Sequence, residues 1–166
     1  MSNFTLQMEV VYIETTIVSY LVARSSRDLV LTAHQQVTRD WWDTERKNYQ
    51  CVISTEVLRE AAAGEVAMSR LRLAVLDEME VIRATPEIDE LASAFLNTGA
   101  LPASMRSDAV HLAAATLAGA DYLLTWNCRH LANAHVLKRL HREAGRQGWT
   151  LPDVCTPLEL MKDSDP

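Results

Sequence analysis

Four stretches far apart in the chain pair apolar residues with a polar group able to hold a metal ion. They are Val10-Val11-Tyr12-Ile13 before Glu14, Val52-Ile53-Ser54 leading to Glu60, Ser107-Asp108-Ala109-Val110, and Tyr122-Leu123-Leu124-Thr125-Trp126-Asn127. In a parallel α/β sheet the strand ends converge on one edge, so residues nearly a hundred positions apart can share a site. The pattern therefore predicts a carboxylate cluster at the end of a sheet.

The residues between these runs read as alternating strands and helices. Residues 9–13 are β-branched and aromatic, which favours a buried strand, and Thr15 or Thr16 can cap a helix through Ile17, Tyr20 and Leu21. A helix is expected from Asp28 to Lys47, with Leu29, Ala33, Val37 and Trp41 at four-residue spacing on one face. Residues 49–53 read as a second strand, with Ser54 and Thr55 as caps for a helix that Gly64 closes. A helix over 65–78, a strand over 79–83 and a helix from Pro86 to Gly99 follow. An alanine-rich helix from Asp108 to Ala118 comes next, then a strand over 122–125, a helix over 134–146 and a short strand at Val154-Cys155. No tight hairpin interrupts the alternation. This predicts an α/β fold with a central parallel sheet of four or five strands and helices on both faces.

With 166 residues, 48% of them hydrophobic, the chain suits one domain with a sizeable core. Its apolar stretches are broken by charge well before the ~18 residues of a membrane span, and its first twenty residues do not fit a secretory signal. The expected location is the cytoplasm. Cys51, Cys128 and Cys155 are odd in number and widely spaced, against a disulfide framework or a cysteine zinc site. The net charge of −6 argues against coating nucleic acid by bulk electrostatics. A basic segment from Arg129 to Arg146 reads either as a solvated helix face or as a surface that meets phosphates.

These motifs together resemble the PIN-domain nucleases, and within them the VapC-like toxins of type II toxin–antitoxin systems. Tyr12-Ile13-Glu14-Thr15-Thr16 is similar to the opening motif. Ser54 with Glu60 resembles the second, Asp108-Ala109-x-x-x-Ala113 the third and Leu124-Thr125-x-Asn127 the fourth, while Thr156-Pro157 precedes a short terminal helix. The resemblance implies a single PIN-like domain over 1–166 and an endoribonuclease dependent on Mg²⁺ or Mn²⁺. It implies Glu14, Glu60, Asp108 and Asn127 as catalytic residues, the three acids as metal ligands, and RNA cut to leave a 5′-phosphate and a 3′-hydroxyl. It also implies a cognate antitoxin and a homodimer, for which the faces bearing Trp41 and Trp42, or Leu91 and Phe95, are candidates. A second groove should take an antitoxin segment whose basic residue reaches the acids.

Two positions depart from the family pattern: Glu14 stands where Asp is usual, and Asn127 where many PIN domains have Asp. His130 occupies the place three residues later where some relatives carry an acid. Competing readings remain for individual residues. Glu14 can cap the following helix, Glu56 competes with Glu60, Asp108 can serve a helix N-terminus, His111 can be a core residue or a partner of the acids, and Asp121 reads as a turn residue. At the level of function the alternatives are a catalytically weakened PIN-like module that binds RNA or protein, and a phosphoacceptor domain. The latter needs a lysine on a late strand loop, and none lies between Lys47 and Lys138.

Overall fold

The computed structural model describes residues 8–162. Its centre is a five-stranded, all-parallel sheet in the order β3-β2-β1-β4-β5. The strands are β1 (Val10–Ile13), β2 (Gln50–Ser54), β3 (Glu80–Ile82), β4 (Tyr122–Leu124) and β5 (Asp153–Cys155). β1 is the middle strand, which accounts for its unbroken apolar run: Val11, Tyr12 and Ile13 are fully buried.

The helices are α1 (Thr15–Val22), α2 (Leu29–Thr44), α3 (Thr55–Ala61), α4 (Val66–Leu76), α5 (Pro86–Asn97), α6 (Arg106–Leu117) and α7 (Ala134–Arg146). From β1 the chain steps through β2 to β3 in one direction, then returns past β1 to β4 and β5. Right-handed crossovers put α1–α4 on one face and α5–α7 on the other. The contacts agree, since α1 touches α2, α3 and α4, while α5 touches α6 and α7. The reversal of direction falls between β1 and β4, and a crevice opens beyond their carboxyl ends. Glu14 follows β1, and Asn127 lies three residues past β4.

Local sequence explains most boundaries. Asp28 caps α2 by accepting from the amides of Val30 and Leu31, Thr85 caps α5 with Pro86 in its first turn, and Asn133 caps α7. Gly99, just beyond α5, has φ +67°, a conformation that costs glycine little. The small side chains of α6 permit the tight packing expected of them, and Ala109 with His111–Thr116 is buried.

Several expectations are corrected. Glu14, not Thr15 or Thr16, is the N-cap of α1, leaving both hydroxyls free for carboxylates. The inner face of α2 is Gln35, Thr38 and Trp41, while Leu29 is 84% exposed and Ala33 also faces solvent. A four-residue step overshoots one turn by about 40°, so a stripe of such steps drifts around the helix. Trp41, Leu91 and Phe95 are at most 2% exposed and belong to the core, so they cannot form the dimer faces expected of them. After Thr156 the chain makes a turn over residues 157–160 where a short helix was expected.

Candidate active site

Glu14 enters the crevice because β1 ends there and α1 begins. A carboxylate only 5% exposed is costly unless its oxygens are served. Oε2 is served three times, by the amide of Thr16 at 3.2 Å, the Thr16 hydroxyl at 2.5 Å and the Thr125 hydroxyl at 2.7 Å. Oε1 accepts no hydrogen bond from the described residues, and His111 Nε2 lies 4.0 Å from it.

Glu60 reaches the same place from the last turn of α3. Its Oε2 accepts from the Thr15 hydroxyl and from His111 Nε2, the latter at 2.8 Å. Oε1 lies 2.5 Å from Ser107 Oγ, but the same hydroxyl is also 2.5 Å from Glu56 Oε1. One hydroxyl has one hydrogen, so Ser107 serves one carboxylate at a time. Glu56 is separately tied to Arg59 by two hydrogen bonds, of 2.5 and 2.9 Å. Glu60 lines the cleft, and Glu56 lines the neighbouring groove.

Asp108 sits in the first turn of α6. Its Oδ2 accepts from Asn127 Nδ2 at 3.1 Å and lies 3.2 Å from His130 Nδ1, while Oδ1 has no partner among the described residues. Asn127 acts as a brace. Its amide oxygen accepts from the backbone N–H of His130 at 3.1 Å, and its own N–H donates to Thr125 Oγ1 at 2.9 Å. Glu14, Glu60, Asp108 and Asn127 line one cleft of about 470 Å³ with Thr15, Thr16 and Ser19. Ligand atoms of Glu14, Glu60 and the buried His111 behind them lie within 4.8 Å of one another, a group that does not include Asp108.

The acids differ in electrostatics. Burial pushes Glu60 upward, but the hydrogen bond and charge of His111, with the Ser107 and Thr15 hydroxyls, hold its pKa at about 2. Burial raises Asp108 above its ordinary value against Asn127, His111 and His130, and Glu60 contributes only a smaller like-charge push. Repulsion between the acids is thus the lesser cause. Burial opposes a charge on His111, yet Glu60 and Glu14 outweigh it and raise its pKa.

The four residues singled out in the sequence, Glu14, Glu60, Asp108 and Asn127, meet in one cleft. The hydroxyl groups that orient the acids are less legible: Tyr12 reads as a core aromatic, and Ser54 as a helix cap. In fact Ser54 Oγ is 2.6 Å from Tyr12 Oη, and Tyr12 Oη is 2.8 Å from His111 Nδ1. A strand tyrosine one residue before the acid-bearing end was the available signal.

Each acid keeps one oxygen anchored and has another that is open or shared, and every such atom is hard oxygen. That donor set fits Mg²⁺ or Mn²⁺ better than a soft metal.

The five-stranded parallel sheet flanked by helices is a PIN-like α/β fold. Two solved structures share the architecture. The chain matches the VapBC2 structure from Rickettsia felis, bound to a DNA fragment from its promoter, with a TM-score of 0.57 and 16% identity over 89% of this chain and 98% of the other. It matches VapBC-1 from nontypeable Haemophilus influenzae with a TM-score of 0.55 and 15% identity, over 90% of this chain and 98% of the other. No protein-family model and no curated protein sequence matches the chain.

Proposed function

We propose that the chain, as one PIN-like domain over 1–166, is a metal-dependent endoribonuclease and the toxin half of a toxin–antitoxin pair. The observation that carries this reading is the pairing of anchored and available oxygens on Glu14, Glu60 and Asp108 in one cleft. Those three acids would hold Mg²⁺ or Mn²⁺. A cation bound there would acidify a water and offset charge developing on the phosphodiester. In the hydrolysis that the resemblance implies, the water oxygen would bond to phosphorus as the bond to the 3′-oxygen breaks, with one water proton passing to that oxygen, to leave a 5′-phosphate and a 3′-hydroxyl. Asn127 holds Asp108 in place, and the threonine hydroxyls hold Glu14 and Glu60.

The neighbours, both VapBC structures, support the toxin–antitoxin assignment. A groove of about 530 Å³ beside the cleft is lined by Ile82, Ile88, Val110 and Ala114 and shares Arg59 with it, which suits an apolar antitoxin segment. A homodimer would have to use apolar residues the core leaves outside, such as Leu29 and Val30 on α2 or Val66 and Leu71 on α4. Among the described residues no helix is long and apolar enough to cross a membrane, and an RNA substrate would be met in the cytoplasm.

Purified protein is expected to cleave RNA with Mg²⁺ or Mn²⁺ and to stop with a chelator. Asp108→Asn should lower the rate on the order of 100-fold or more, with little change in thermal stability because burial already disfavours that charge. A weakened binding module predicts RNA binding without cleavage, and that outcome would replace this reading.

A further inference from the structure

The distances around His111 admit two roles for it, as a third cation ligand beside Glu14 and Glu60 or as a support for one of them. We propose that His111 is a positioning residue that orients Glu60 and is not itself a ligand, an inference that rests on the metal-site reading above.

His111 lies in the middle of α6 and is fully buried. Its Nε2 is 2.8 Å from Glu60 Oε2, and its Nδ1 is 2.8 Å from Tyr12 Oη. An ionised carboxylate only accepts, so Nε2 carries a hydrogen whether the ring is neutral or charged. A nitrogen that carries a hydrogen has no lone pair for a cation. Nδ1 faces the tyrosine and the core. In the neutral ring Nδ1 accepts from Tyr12, and Tyr12 in turn accepts from Ser54 at 2.6 Å. The donors then run in one direction, Ser54 to Tyr12 to His111 to Glu60. This chain joins the end of β2, the centre of β1, the middle of α6 and the last turn of α3.

The consequence falls on Glu60. His111 and Thr15 both hold Oε2, so the carboxylate cannot rotate freely, while Oε1 is released whenever Ser107 turns to Glu56. A ligand already held in one orientation loses less freedom when a cation arrives. A histidine that merely fills space would leave cation affinity unchanged on replacement by an apolar side chain.

The test uses the full chain, with Mg²⁺ for spectroscopy and Mn²⁺ for calorimetric titration. In ¹⁵N spectra of the imidazole, the His111 Nε2 proton is expected to persist when Mg²⁺ is added. His111→Leu should weaken Mn²⁺ binding about 10- to 100-fold. His111→Gln, which keeps an N–H donor, should recover most of that loss. Should His111→Leu fail to fold, Tyr12→Phe carries the comparison, with a loss of up to about tenfold. Loss of the Nε2 proton on adding Mg²⁺ makes His111 a ligand and overturns the proposal. So does Mn²⁺ affinity left unchanged by a folded His111→Leu, or by Tyr12→Phe where it stands in. Wild-type protein that binds neither ion instead overturns the metal-site reading itself.

Discussion

Asn127 illustrates how one atom changes a role. Its Nδ2 donates to Asp108 at 3.1 Å, a contact that a carboxylate at the same position cannot make. Asn127→Asp should therefore cost the metal-free protein about 1–2 kcal/mol at neutral pH, a lost hydrogen bond plus repulsion, and tighten Mn²⁺ binding by adding a charge. Denaturant unfolding and calorimetric titration read the two effects, and weaker Mn²⁺ binding would make the amide brace the more valuable property. Glu60 gives the acid limb of stability. Its folded pKa of about 2 lies below its ordinary 4.5, so the stabilisation is complete above pH 4.5 and is lost as pH falls toward 2. Asp108, raised by burial above 3.8, has the opposite sign and favours the fold at low pH. Thermal midpoints measured down through this window should fall less steeply in Glu60→Gln than in the wild type.

At the scale of elements, the crevice depends on how α2 meets the end of β4. Trp126 Nε1 donates to Thr38 Oγ1 at 2.7 Å, and the His34 ring stacks on the Trp126 ring with centroids 4.0 Å apart. The backbone N–H of Trp126 donates to Thr16 Oγ1 at 2.9 Å, so the same residue ties α2 to the hydroxyl that holds Glu14. Thr38→Val keeps the shape and leaves a buried indole N–H unserved. The expected loss is about 1–3 kcal/mol by urea unfolding, together with weaker Mn²⁺ binding. This contact was not readable from the stripe Leu29, Ala33, Val37 and Trp41, because apolar spacing is blind to a polar inner face made of Gln35 and Thr38.

At the scale of the molecule, the site joins segments brought together only by folding, since Glu14, Glu60, Asp108 and Asn127 come from the junction of β1 and α1, from α3, from α6 and from the loop after β4. A cation that binds the native arrangement alone stabilises it by mass action. Mn²⁺ at a hundred times its dissociation constant should add about 2.7 kcal/mol, or roughly 5–10 °C in the unfolding midpoint for a domain of this size. Calorimetric melts with and without Mn²⁺ check this, and Glu60→Ala should remove most of the shift.

The order of elements, the parallel sheet and the acid-bearing strand ends were legible in the sequence, because β-branched runs, caps and helix stops act locally. So were Glu14, Glu60 and Asp108 as candidates, all three through motif resemblance and Glu14 also through its position at a strand end. Tertiary structure alone decided that Glu60 lines the acid cleft while Glu56 pairs with Arg59 beside the neighbouring groove. It likewise decided that Asn127 braces Asp108, that Tyr12 and Ser54 stand behind His111, and that Trp41, Leu91 and Phe95 are core. These outcomes depend on which hydrogen-bonding groups and apolar faces meet across long separations in the chain, such as the 51 positions between Glu60 and His111. Spacing along a sequence carries no distance between elements until the sheet has set it.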